Sequence, residues 1–204
     1  MEVKLIKTHL SKDPLLAPLI NALEFPVFDP NRTVFSSLIS SIVSQQLSVK
    51  AAATIHGRFL DLFPDQQLDA ERILAFDLTD LRAVGLSRQK STYIQNVAEY
   101  FLEHKLMDVD WEVYSDHEII ELLTQIKGVG KWTVEMVLMF TLYRSNILPV
   151  DDLGIQQAFA GLYKIDLSQK KKTLFAEMER ISKPWEPYRS IACIYLWRWK
   201  DSLN

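Results

Sequence analysis

Leu123-Thr124-Gln125-Ile126-Lys127-Gly128-Val129-Gly130-Lys131-Trp132-Thr133 decides the reading of this chain. A helix ends, a hairpin of about four residues turns, and a second helix starts at once. Two glycines allow positive φ and the close approach of another molecule. Val129, between them, can pack inward and brace the turn. The amides of Gly128, Gly130 and Lys131 then stand at a helix N-terminus, where unpaired N–H groups and the dipole favour an anion. A nucleic-acid phosphate suits that place, with Lys127 and Lys131 beside it. A bare Gly-x-Gly between helices also fits an ordinary αα turn.

Outward from the hairpin the same helical periodicity continues, and two-residue alternation is scarce. The spacing predicts helices over 13–23, 33–45, 49–63, 69–76, 79–84, 87–104, 116–126, 131–142, 153–162, 168–181 and 187–199. Asp13, Ser48 and Ser87 read as caps, and Phe35, Leu38, Ile39, Ile42 and Val43 as an inward face. Residues 24–31, with Pro26 and Pro30, read as a connector, and 105–115 as a linker. The expected fold class is an all-α orthogonal bundle of short-looped helices.

The chain has 204 residues, 48% hydrophobic and 24% charged, which fits a folded domain and argues against disorder. No apolar run approaches the roughly 20 residues that span a bilayer. The segment 1–10 lacks the apolar core of a secretory leader. An intracellular protein with no membrane partner is expected. Cys193 is the one cysteine, which excludes an intrachain disulfide and a four-cysteine cluster. The histidines are His9, His56, His104 and His117, none at helical zinc spacing, so no metal site is expected. The net charge of −3 argues against a nucleic-acid partner until its distribution is read. Residues 61–80 carry six acids against Arg72, and 107–121 carry six acids and no base, leaving the rest at +8. That segregation permits one basic face on an acidic chain. It also fits two solvated acidic loops.

Asp151 and Asp152 follow Pro149 and precede a helix. Asp is a favoured N-cap, so one carboxylate caps and the other is left over. A carboxylate at a helix N-terminus is stabilised as an anion. It suits a group that stabilises positive charge or orients a water, and not a proton donor.

Four blocks in order carry a resemblance: residues 41–52 (Ser-Ile-Val-Ser-Gln-Gln-Leu-Ser-Val-Lys-Ala-Ala), 84–90 (Val-Gly-Leu-Ser-Arg-Gln-Lys), the hairpin through Leu148-Pro149-Val150-Asp151-Asp152-Leu153-Gly154, and Lys183-Pro184-Trp185-Glu186-Pro187-Tyr188-Arg189-Ser190. Together they resemble the helix-hairpin-helix DNA glycosylases, specifically the alkylation-repair branch (3-methyladenine DNA glycosylase II). The resemblance implies two helical subdomains flanking an active-site cleft. One is a six-helix barrel over 33–146, with the helix-hairpin-helix at about 116–142. The other joins 1–32 to 147–204. It implies a monomer acting on double-stranded DNA that contains alkylated bases. No cofactor is expected beyond a monovalent cation that the hairpin carbonyls could hold, and the iron–sulfur branch is excluded.

The resemblance places the catalytic aspartate at Asp152, with Asp151 as the cap or a neighbour. It places the base pocket at Trp132 and Trp197, with Met136 where a relative carries tyrosine. Trp185 is expected to pack the subdomain; Trp111 and Trp199 are left as core or surface. The resemblance also puts Gln46 and Leu47 in the loop whose side chains fill the gap left by a flipped base. Relatives that cut the DNA backbone carry a lysine nucleophile where this chain has Trp132. Lys131 is adjacent but expected on the phosphate side, so a monofunctional enzyme is implied. A glycosylase for deaminated or oxidised bases, and a non-catalytic DNA-binding protein, are the alternatives.

Overall fold

A computed structural model of the chain describes residues 2–203. Among the described residues the fold is all-α, with twelve α-helices, three single-turn 3-10 segments and no strand. The chain divides into two compact units, Met1–Phe28 with Leu138–Asn204, and Asp29–Val137. The second unit therefore closes at Val137, where the sequence reading ran to 146. Hydrogen bonds tie the end of the intervening stretch to the last helix. Ser190 Oγ donates to Arg144 O (2.6 Å), Ile147 N donates to Ser190 Oγ (2.9 Å), and Arg189 Nε donates to Asn146 Oδ1 (2.8 Å). Residues 144–147 are thus tied to the last helix.

The first unit holds α1 (Val3–Leu10), α2 (Ala17–Ala22), α10 (Leu153–Tyr163), α11 (Lys171–Ser182) and α12 (Arg189–Asp201). Helix α1 is not in the sequence reading; Ile6 and Leu10, one turn apart, bury its inner stripe. Asp13 caps a turn by accepting N–H bonds from Leu15 and Leu16, and regular helix starts only at Ala17. Its other oxygen accepts Tyr163 OH (2.8 Å) and Trp185 Nε1 (2.9 Å). Burial and the Asp13 carboxylate push the Tyr163 phenol far above its ordinary pKa. Trp185 is fully buried here. Helix α11 starts at Lys171, after 168, because Ser168 is held in a turn by the Asp166 carboxylate. Helix α12 packs on α10 and α2 through Ile191 to Leu196, all buried.

The second unit holds α3 (Val34–Ser44), α4 (Val49–Leu60), α5 (Ala70–Ala75), α6 (Leu78–Ala83), α7 (Arg88–Glu103), α8 (Asp116–Leu123) and the start of α9 (Lys131–Phe140). Side chains of Thr33, Ser48, Asp69, Ser87 and Ser115 cap their helices, each worth about 1 kcal/mol. Phe35, Leu38, Ile39, Ile42 and Val43 of α3 are buried, and α7 packs against α3, α5 and α6. Residues 105–115 contain one 3-10 turn, Trp111–Val113.

Candidate functional site

Between α8 and α9 the two glycines have different tasks. Gly128 has φ +108°, and a Cβ there would lie 2.3 Å from Cγ of Tyr93. No side chain fits between the turn and that ring. Gly130 lies outside the positive-φ region, and nothing stands within 4 Å of where its Cβ would be. The positive φ that either glycine would allow is thus used at Gly128 alone of the two. Gly130 is exposed, and its carbonyl accepts Val134 N, the bond that opens α9. Val129 is buried, as a brace for the turn requires. Asn96 Nδ2 donates to Lys127 O (3.0 Å), so α7 holds the hairpin by a ring and an amide.

Lys127 and Lys131 are both exposed. The Lys131 ammonium is not isolated, since it sits 3.2 Å from Glu135 Oε1 one turn along α9. Glu135 is only 4% exposed. This carboxylate went unread in the sequence, although its i,i+4 spacing from Lys131 was visible there. Among the described residues no group of three or more His, Cys, Asp or Glu gathers to hold a metal ion.

The loop between α3 and α4 presents Gln46 and Leu47, both exposed. Gln46 has φ +56°, in the left-handed region. Lys90 Nζ reaches from α7 to donate to Val43 O (2.8 Å) and Gln45 O (2.7 Å). Val49, the first residue of α4, is 89% exposed, an apolar neighbour of the loop that the sequence reading passed over.

In the first unit Asp152 caps α10, its Oδ1 accepting Ile155 N (2.7 Å). The same oxygen accepts Trp197 Nε1 from α12 (2.8 Å). Asp151 is therefore not the cap, and the expected division of the two carboxylates is corrected: Asp151 pairs with Lys171 at the surface. Gln156 Nε2 donates to Val150 O (2.7 Å) and holds the loop before the cap. Gly154 makes the Asp152–Trp197 approach possible: a Cβ there would lie 3.0 Å from Asp152 Oδ1 and from Trp197 Nε1. Trp197 is half-buried, and Phe140 lies against it with ring centroids 5.9 Å apart. Trp132, Met136 and Phe140 recur every four residues on α9, hence on one face. Trp132 is 40% exposed, and the other two are half-buried. Phe140 and Gly154 had no assigned part in the sequence reading. Trp199 packs over Gly161 of α10, and Trp111 lies beside Phe101 and Tyr114.

The Bacillus subtilis protein YfjP is 34% identical over 172 residues, spanning 81% of this chain and 58% of the relative. DNA-3-methyladenine glycosylase 1 of Schizosaccharomyces pombe is 34% identical over 178 residues, 84% of this chain and 76% of that protein. The solved S. pombe 3-methyladenine DNA glycosylase Mag1, in complex with abasic DNA, superposes with a TM-score of 0.80 at 32% identity. That match covers 95% of each chain. The chain thus spans little more than half of one relative and about three quarters of the other. The model of the HhH-GPD superfamily of base excision DNA repair proteins matches residues 39–186, and the chain belongs to that family.

Proposed function

We propose that this chain is a monofunctional DNA glycosylase that releases alkylated purines, of the 3-methyladenine and 7-methylguanine type, from double-stranded DNA. The observation that carries the reading is the Asp152 carboxylate, held by a helix N-terminus and by the Trp197 indole. Base departure builds oxocarbenium character on the sugar. Asp152 is the anion that stabilises this charge and orients the attacking water. An alkylated purine leaves as a neutral base from a cationic state, so no general acid is needed. Trp197 and Trp132 offer indole faces to an electron-poor base, an attraction on the order of 1–2 kcal/mol. Met136 stands on the Trp132 face and shapes the base range. The similarity to the S. pombe 3-methyladenine glycosylases supports both the reaction and the substrate class.

DNA binding is assigned to the hairpin amides of Gly128, Gly130 and Lys131, with Val129 as internal brace and Lys127 as added cation. Gln46 and Leu47 fill the gap left by the flipped nucleotide, with exposed Val49 beside them. The enzyme works as an intracellular monomer. Among the described residues no helix is long and apolar enough to cross a membrane. No cofactor enters the reaction. A monovalent cation at the hairpin carbonyls would share them with donors already present, Val129 N at Ile126 O and Asn96 at Lys127 O.

The test is base release from methylated duplex DNA, followed by chromatography of the freed bases. Released 3-methyladenine or 7-methylguanine, with the strand intact until alkali or heat, is expected. DNA binding without any released base would leave the hairpin as a non-catalytic module and overturn the reading.

A further inference from the structure

The α3–α4 loop is held by a side chain from far along the chain. Helix α3 ends at Ser44; Gln45 N donates to Ser41 O and Ile42 O, and Leu47 N to Ser44 O, which leaves Val43 O of the last turn to a side-chain donor. Lys90 supplies a partner to two carbonyls at that end, Val43 O at 2.8 Å and Gln45 O at 2.7 Å. A cation there also faces the negative end of the helix dipole. The next residue, Gln46, turns into the left-handed region at φ +56°. Such a backbone persists when its surroundings over-determine it, and the Lys90 ammonium bonds the peptide immediately before it.

Lys90 is itself pinned. Its backbone N–H donates to Ser87 Oγ (3.2 Å), the cap of α7, and its side chain is half-buried. Burial lowers the ammonium below its ordinary pKa, so it sits in that place at some cost in solvation. The same helix meets the hairpin at Tyr93 and Asn96, one and two turns further on. One rigid helix thus bonds the loop at one end and the hairpin along its length.

We propose that Lys90 is a positioning residue for base extrusion: it holds the α3–α4 loop so that Gln46 and Leu47 are presented at a fixed distance from the hairpin. The proposal rests on the wedge assignment made above. Lys90 touches neither the base nor the sugar in this account. It acts through the loop, so its loss slows flipping rather than bond cleavage.

The experiment compares single-turnover base release from a lesion in fully paired duplex with release from the same lesion inside a run of mismatches. The mismatched context has already lost most of its pairing and stacking, so extrusion costs little there. Lys90→Met should lower the paired-to-mismatched rate ratio by about tenfold or more. Lys90→Arg, which keeps the charge and the donors, should recover most of that ratio. Where Lys90→Met does not fold, Lys90→Gln serves, because its shorter stem cannot reach both carbonyls. An unchanged ratio, or equal loss in both contexts, would overturn the proposal. A Gln46→Ala/Leu47→Ala double variant separates the two layers. If it keeps the wild-type ratio, the wedge assignment itself falls; if it loses the ratio and the Lys90 variants do not, only the role of Lys90 falls.

Discussion

Trp197 Nε1 donates a 2.8 Å hydrogen bond to Asp152 Oδ1, joining the last helix to the cap of α10 across 45 residues of chain. Ile155 N donates to the same oxygen at 2.7 Å. Two donors on one oxygen fix the plane of the carboxylate. The Trp197 indole therefore orients the carboxylate.

Asp152→Asn retains an oxygen that can accept both bonds but removes the charge. Base release should fall by at least about a hundredfold, roughly 2.7 kcal/mol of transition-state stabilisation. DNA affinity should persist. Asp151→Asn removes only an exposed ion pair with Lys171, worth about 0–1 kcal/mol, and should stay active. Single-turnover rates of both variants check this; an inactive Asp151 variant beside an active Asp152 variant would reverse the assignment.

Gly154→Ala separates activity from stability. The new Cβ meets Asp152 Oδ1 and Trp197 at 3.0 Å, so the carboxylate and indole must shift by a few tenths of an ångström. Misplaced catalytic groups lose activity steeply, and a drop of about tenfold in kcat is expected. Alanine in a helix is favoured over glycine by up to about 1 kcal/mol, so melting temperature should hold or rise. Trp197→Phe, which keeps a ring but not the N–H, should reproduce the loss in kcat.

The hairpin glycines should respond in opposite ways. Gly128→Ala places a methyl in the Tyr93 ring at φ +108° and should destabilise the fold by about 2–4 kcal/mol. Gly130→Ala meets open space, so thermal stability should be near wild type. Its methyl would occupy the side open to a DNA phosphate, and affinity for damaged and undamaged duplex should fall alike. Thermal melts and binding isotherms together test this; a Gly130 variant with wild-type affinity would remove the hairpin from the interface.

Lys131 Nζ lies 3.2 Å from Glu135 Oε1 and is engaged along its own helix, whereas a nucleophilic amine must reach the sugar. Turnover should leave an abasic site in an unbroken strand. Borohydride added during turnover should trap no protein–DNA adduct. An adduct that vanishes in Lys131→Ala would show that this lysine is a nucleophile.

His56 gives the fold a mild acid sensitivity. Burial, with Arg32 nearby, lowers its imidazole pKa, and Ser40 Oγ lies 2.9 Å from Nε2. The unfolded chain then takes up the proton first as pH falls. Stability from this group is complete above about pH 6.5 and declines below it. His56→Gln should flatten the dependence of denaturation midpoint on pH between 7 and 5, two values chosen about that ordinary pKa. A slope equal to wild type would assign the sensitivity elsewhere.

Much of the molecule is legible in the sequence because it is local. Ser48, Asp69, Ser87 and Ser115 cap the helices that follow them, and each bond closes within three residues. The apolar steps of α3 name its buried face for the same reason. The hairpin and the cap at Asp152 are local as well. Helix α1 and the late start of α11 escaped because short segments are decided by packing and by single turns such as that at Asp166.

The chain's own pattern determined that it is helical, where the hairpin lies, and which aspartates open α10. It could not decide which hairpin glycine is irreplaceable, because the ring that excludes a side chain at Gly128 comes from Tyr93. Nor could it join Asp152 to Trp197, tie Lys90 to Gln45, or attach residues 144–147 to Ser190. Hydrogen bonds between residues three or four apart follow from helix geometry alone. Contacts that close loops of tens of residues form only when buried faces dock, and that docking depends on the packing of the whole chain.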